Sequence, residues 1–171
     1  MNETTTKINL GGGNTKMEGY INIDILNFKE VDIVHDLSKG IPIEENSVDE
    51  IFSSHFLEHV EDMIFVMKEI YRVCKPGAII KIKVPYFSSI GAFKDPTHKS
   101  FYTNKTFDYF DKLKTGVSIP NYELEVNFRV EKIQYIWSKK WLRFLPFKET
   151  FFMNYFWNIA KTMYVELEVI K

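Results

Sequence analysis

The chemistry-bearing residues of this chain cluster where short apolar runs end. Ile8–Leu10 runs straight into Gly11, Gly12 and Gly13. Consecutive glycines after a strand let the backbone approach a ligand with no side chain in between, which is how nucleotide sites are built. Two carboxylates occupy equivalent places further on: Asp24 closes the run Tyr20–Ile25, and Asp36 follows Asp32–Val34. A dinucleotide site would require a further glycine where Lys16 stands, and a helix opening at the loop to face the pyrophosphate. Only six residues separate Gly13 from Tyr20, too few for that helix, and no Gly-Lys-Ser/Thr follows to make a phosphate loop.

A ligand without phosphate fits these groups better. S-adenosylmethionine carries a cationic sulfonium and ammonium, a ribose diol and an adenine amine, for which carboxylates and carbonyls are the natural partners. Asp24 can accept both ribose hydroxyls and Asp36 the adenine amine, with Ile25 and Leu37 covering the ring.

Taken in order, Ile8-Asn9-Leu10-Gly11-Gly12-Gly13, Gly19-Tyr20-Ile21-Asn22-Ile23-Asp24, Asp36-Leu37, Ser47-Val48-Asp49-Glu50-Ile51 and Leu57-Glu58-His59-Val60-Glu61-Asp62 resemble the class I methyltransferases. The resemblance is to the small, type 11-like group with a shortened loop between the first two strands, and it runs from about Ile8 to Thr103. It implies a Rossmann-like α/β three-layer sandwich, with a seven-stranded, mostly parallel sheet whose last strand is antiparallel. It implies S-adenosylmethionine as cofactor, held by Leu10 to Gly13, Asp24 and Ile25, Asp36 and Leu37. Ser53 or Ser54, with His55, would border the methionine part. The sequence departs from the pattern in having Asn9 where many relatives have Asp, and in lacking the helix between the first strands.

Methyl transfer needs alignment first and a base only for some acceptors. Of the four histidines, His98 in the polar stretch Asp95–Thr103 is the first candidate for a base or substrate ligand, with Asp95 to orient it. The alternative is that His98 pins its loop to backbone. His55 is the second candidate, because it follows the fourth strand and should face the sulfonium, whereas His35 reads as a partly exposed strand end. His55, Glu58 and His59 have the i, i+3, i+4 spacing of a helical ligand set. They fall at a helix start, where binding backbone at the strand-to-helix turn is the favoured role, so no metal is expected.

Strands and helices that alternate along the chain would position these groups at the carboxyl ends of a sheet. Strands are expected at Ile8–Leu10, Tyr20–Ile25, Asp32–Val34, Glu50–Ser53, Ala78–Val84, Glu123–Trp137 and Tyr164–Ile170. A helix is expected over Val60–Val73, stopped by Lys75-Pro76-Gly77, and a second over Thr103–Leu113 with Thr103 as N-cap and Phe107 and Phe110 on one face.

The 171 residues, 45% hydrophobic and 26% charged, suit one domain spanning 1–171. A net charge of −1 supplies no general attraction to nucleic acid, and Ser53-Ser54-His55-Phe56 stands where nucleic-acid methyltransferases carry Asn/Asp-Pro-Pro-aromatic. One cysteine, Cys74, excludes an internal disulfide framework. Met1 to Lys7 lack a signal-peptide pattern, and no apolar run reaches spanning length, so a cytoplasmic protein is expected. Residues 139–162, crowded with Trp, Phe and Tyr, read as an aromatic lid or cover helix, with peripheral membrane contact through 139–157 as the alternative. The expected partner is a small-molecule methyl acceptor, with a sugar as one candidate; the other reading is a cofactor-binding module or partner subunit inactive alone. The oligomeric state stays open.

Overall fold

The computed structural model describes residues 5–114 and 124–171. Seven strands form one sheet in the order β3-β2-β1-β4-β5-β7-β6. They are β1 Lys7–Leu10, β2 Ile21–Asp24, β3 Ile33–Val34, β4 Val48–Ser54, β5 Cys74–Pro85, β6 Phe128–Trp137 and β7 Ala160–Val169. The β1–β5 pairings are parallel, and β7 runs antiparallel to both its neighbours. The expected seven-stranded, mostly parallel sheet with an antiparallel last strand is therefore the observed one, but among the described residues the only long helix lies on one face, so the expected third layer is not seen.

Alternation along the strands sorts the side chains onto two faces. Ile8 and Leu10 on β1 share a face with Ile51 on β4, Ile80 and Ile82 on β5, and Val165 and Leu167 on β7, all fully buried. Helix α1, Met63–Val73, adds Val66, Met67, Ile70 and Val73 to the same buried cluster. It begins later than expected because Asp62 is its N-cap, accepting from the Phe65 N–H at 2.9 Å and leaving Val60 outside. It stops where expected, but β5 takes over immediately at Cys74, four residues before the expected Ala78.

The opposite face is a polar ladder. Glu50 on β4 receives hydrogen bonds from Lys81 (2.7 Å) and Tyr20, and pairs with Lys7 (3.6 Å). Burial pushes the Glu50 carboxyl upward, but hydrogen bonds from Lys81 and Tyr20 and the charges of Lys81 and Lys7 hold it below the usual glutamate range. A lowered native value adds stability above the ordinary carboxyl range, and that stability is lost as pH falls through the native value. Glu50→Gln is therefore expected to give a shallower fall of melting temperature below about pH 5 than wild type. Superimposable acid limbs would show that the cluster contributes nothing.

Two helices expected from the sequence are not formed. Thr103–Leu113 contains only a 3-10 turn, Phe107–Phe110, and the Thr103 side chain caps no helix. Phe107 and Phe110 are buried together as expected, but Leu113 is exposed, so no continuous apolar stripe extends to it. The aromatic segment is a 3-10 turn at Lys140–Phe144, a π turn at Lys148–Phe152 and one helical turn, α3, at Met153–Tyr155. Pro146 lies between the first two and removes a helical donor. The last strand starts at Ala160 rather than Tyr164, and β6 starts at Phe128; Glu123, where it was expected to begin, lies outside the described residues.

Candidate active site

The carboxyl ends of β1, β2 and β4 converge on the glycine turn. The Gly11 N–H donates to the Ile23 carbonyl at 2.9 Å, and the Gly13 N–H donates to Asp24 Oδ2 at 2.8 Å. Gly11 and Gly13 have φ of +65° and +54°, a region glycine enters without strain. Beneath the turn, Asn9 Nδ2 donates to Asn22 Oδ1 at 3.1 Å, and Asn22 Nδ2 donates to the carbonyls of Gly13 and Glu30. Asn9, the departure noted in the sequence, therefore joins a buried amide pair that braces the loop. The sequence pattern did not mark Asn22, whose position opposite Asn9 follows only from the β1–β2 register.

Gly12 lies against that pair. A Cβ there would stand 1.8 Å from Asn22 Oδ1 and 2.2 Å from Asn9 Nδ2, whereas one on Gly13 would meet nothing within 4 Å. Gly12→Ala must break the brace and is expected to cost about 1–3 kcal/mol of stability. Gly13→Asn should stay near wild type, since asparagine tolerates the left-handed region. Thermal denaturation of the two variants checks this, and equal melting temperatures would refute the brace.

A cavity of about 200 Å3 is lined by Gly11, Asp24, Ile25, Asp36, Leu37 and Phe56, among others. Asp24 is buried, and its Oδ1 also accepts from the Leu26 N–H at 2.9 Å. Each oxygen has given one lone pair to the loop and retains acceptor capacity. Hydrogen bonds from the Ser38 hydroxyl and N–H hold the Asp36 carboxyl below its usual range, and this residue N-caps the turn Leu37–Lys39. Ile25 is exposed and Leu37 buried, giving the cavity apolar walls. Phe56, beside Gly11, was not singled out in the sequence; nothing in its spacing marks it.

Leu10, and the three residues expected at the methionine end, Ser53, Ser54 and His55, are placed differently from one another. Leu10 is buried in the core. Ser53 shares the core face with Leu10 and Ile82, and its Oγ has no hydrogen-bond partner among the described residues. Ser54 points the other way, into a cavity of about 330 Å3 with Gly11, Gly12 and Lys83. His55 then turns the chain at φ +56°, a conformation uncommon for a non-glycine residue and one that clusters at functional sites.

His55 opens the largest of these cavities, about 520 Å3, which it shares with Glu58, His59, Lys94, His98 and Lys161. His59 lines both this cavity and the one holding Asp24 and Asp36. The His98 side chain is nearly buried, and its Nδ1 lies 2.8 Å from the Ala92 carbonyl. A carbonyl only accepts, so Nδ1 carries a proton, and in the neutral ring Nε2 is the acceptor. Asp95 does not orient this ring: its Oδ2 is 4.0 Å from Nε2, and Oδ1 accepts from the Thr97 N–H and hydroxyl.

Glu58 and His59 reach side chains rather than the backbone of their turn. Glu58, buried, meets His55 Nδ1 at 2.9 Å, while its Oε2 has no partner among the described residues; His59 Nδ1 meets the Thr97 hydroxyl at 3.0 Å. The Glu58 carbonyl accepts from the Lys99 N–H at 2.7 Å and the Tyr102 hydroxyl donates to the Leu57 carbonyl at 2.8 Å, clamping the His98 loop to this turn. Glu58, His59 and His98 offer ligand atoms within 4.8 Å of one another. His35 is half-buried at the end of β3 and borders the Asp36 cavity.

Residues 16–82 match a family model described as a methyltransferase domain. No curated protein matches the chain. Among solved structures, an S-adenosylmethionine-dependent methyltransferase from Archaeoglobus fulgidus is similar, with 18% identity, coverage of 97% of this chain and 86% of the other, and a TM-score of 0.69. A complex of the Haloferax volcanii Trm112 methyltransferase activator with a methyltransferase matches at 13% identity, 99% and 84% coverage, and TM-score 0.64. The [4+2]-cyclase SpnF matches at 10% identity, 97% and 74% coverage, and TM-score 0.64, so the fold also hosts other chemistry. No helix among the described residues is long and apolar enough to cross a membrane. Residues 16–82 thus carry the match to a methyltransferase domain, and the fold along nearly the whole chain is the one seen in S-adenosylmethionine-dependent methyltransferases.

Proposed function

We propose that the protein methylates an oxygen or nitrogen of a small molecule held in the His55–His98 cavity, a sugar being one such acceptor. The observation that carries this reading is that His59 forms a wall of both the Asp24–Asp36 cavity and the His98 cavity, which makes the two cavities neighbours. S-adenosylmethionine supplies an electrophilic methyl on a sulfonium leaving group. Asp24 accepts the ribose hydroxyls, Asp36 the adenine amine, and Ile25, Leu37 and Phe56 cover the ring. At the other end, Gly11 and Gly12 give close backbone approach, while Ser54 and the cation of Lys83 suit a methionine carboxylate. His98 Nε2 would take the proton of a hydroxyl acceptor, and the Ala92 carbonyl, by holding the proton on Nδ1, would keep that nitrogen available in the neutral ring. Lys94 and Lys161 on the same cavity favour a polar or anionic acceptor.

The test is release of S-adenosylhomocysteine when the purified protein meets labelled cofactor and fractionated metabolites, with the methylated product identified by mass. Cofactor binding with no product from any small-molecule fraction would refute the reading.

A further inference from the structure

We propose that residues 139–157, together with Phe93 and Phe101, form a docking surface for an anionic lipid bilayer, and that docking brings the mouth of the His98 cavity to headgroup level. The inference stands apart from the methyl-transfer reading, since it needs neither cofactor nor acceptor.

The segment expected to be a lid leaves its rings in solvent: Trp141 is 60% exposed, Phe144 73%, Tyr155 74% and Trp157 57%. Leu142 and Met153 are buried and anchor it to the body. The exposed rings form two contact groups, one within 151–156 and one joining Trp157 to Phe93 and Phe101, with Trp141 and Phe144 exposed earlier in the same segment. Phe151 packs against Tyr155 and Phe156 at 5.1 and 6.2 Å, Trp157 against Phe93 at 5.6 Å, and Phe93 stacks on Phe101 at 4.5 Å. Exposed aromatic area of this kind marks an interaction surface.

Charge selects the occupant. Between residues 139 and 157, Lys139, Lys140, Arg143 and Lys148 face a single acid, Glu149, in a chain whose net charge is −1. The Arg143 guanidinium lies 4.5 Å over the Phe144 ring, cation and apolar surface side by side. A second copy pairing through this patch about a twofold axis would bring like charges together. An anionic bilayer accepts both components, aromatic rings at the interface and lysine or arginine ends among the headgroups. The patch also reaches the cavity rim. Phe93 belongs to α2, Ile90–Phe93, whose Ile90 and Gly91 line the His98 cavity; Asn158, next to Trp157, lines it too and receives the Ile90 N–H at 3.3 Å.

The test is co-sedimentation of the full chain with vesicles of phosphatidylcholine alone and of phosphatidylcholine mixed with phosphatidylglycerol. Wild type should partition onto the mixed vesicles, less at high salt. The doubles Trp141→Ser/Phe144→Ser and Lys139→Glu/Lys140→Glu should each reduce partition about tenfold or more. The replaced aromatics are solvent-exposed, so the aromatic double should keep the wild-type melting temperature. Absence of wild-type partition onto anionic vesicles overturns the proposal. So does light scattering that shows a dimer dissolved by the aromatic double, or an oligonucleotide that binds while vesicles do not. S-adenosylhomocysteine binding on the same preparation separates the two readings: binding without partition defeats docking alone, and partition without binding defeats the cofactor site alone.

Discussion

Asp24→Ala is expected to weaken S-adenosylhomocysteine binding by about a hundredfold or more in calorimetric titration. Hydrogen bonds to a charged group contribute about 1.5–3 kcal/mol each, and the ribose offers two. The same carboxylate receives the Gly13 N–H at 2.8 Å and the Leu26 N–H at 2.9 Å, so alanine would also unfasten the glycine turn and the β2 exit together. Those donors, left in a largely buried place, should lower the melting temperature as well. Asp24→Asn separates the effects. It keeps the shape and one acceptor oxygen, so its stability should lie nearer wild type while its affinity falls toward that of the alanine variant. An Asp24→Ala protein that binds S-adenosylhomocysteine as tightly as wild type would remove Asp24 from the site.

The half of the site made by β1 to β4 was legible because strand ends are written locally. Apolar runs of period two stop at Gly11, Asp24 and Asp36, and each stop is a place where a parallel sheet presents groups to a ligand. What escaped depends on information across strands. Ser53 and Ser54 are neighbours in sequence, yet one side chain enters the core and the other a cavity, and only the pairing of Leu10 with Ser53 decides which. Asn22 faces Asn9 for the same reason. The i, i+3 spacing brought Glu58 near His55, but it could not show that His59 would meet a hydroxyl on Thr97, because that contact closes a loop of 38 residues. The aromatic segment was misjudged in a different way. Its composition resembles a core helix, but Pro146 interrupts it and most of its rings stay exposed.

His98→Asn is expected to lower kcat on a hydroxyl acceptor by about 10²–10⁴-fold, with S-adenosylhomocysteine affinity unchanged. Asparagine can still donate from its amide to the Ala92 carbonyl, so the bond that holds the loop at 2.8 Å survives and only the free nitrogen is lost. That distinction matters, because a loop anchor and a base both depend on His98 in the wild-type protein. Added imidazole should restore part of the rate if the missing function is proton acceptance, whereas a displaced loop would not respond to it. Asp95→Asn serves as the internal comparison. With 4.0 Å between its Oδ2 and His98 Nε2, and its Oδ1 bonds directed to Thr97, the change should alter kcat only a few-fold. A His98→Asn enzyme within a few-fold of wild type would leave His98 as a loop anchor. A large loss from Asp95→Asn would instead mean that the carboxylate moves onto the histidine once an acceptor is bound.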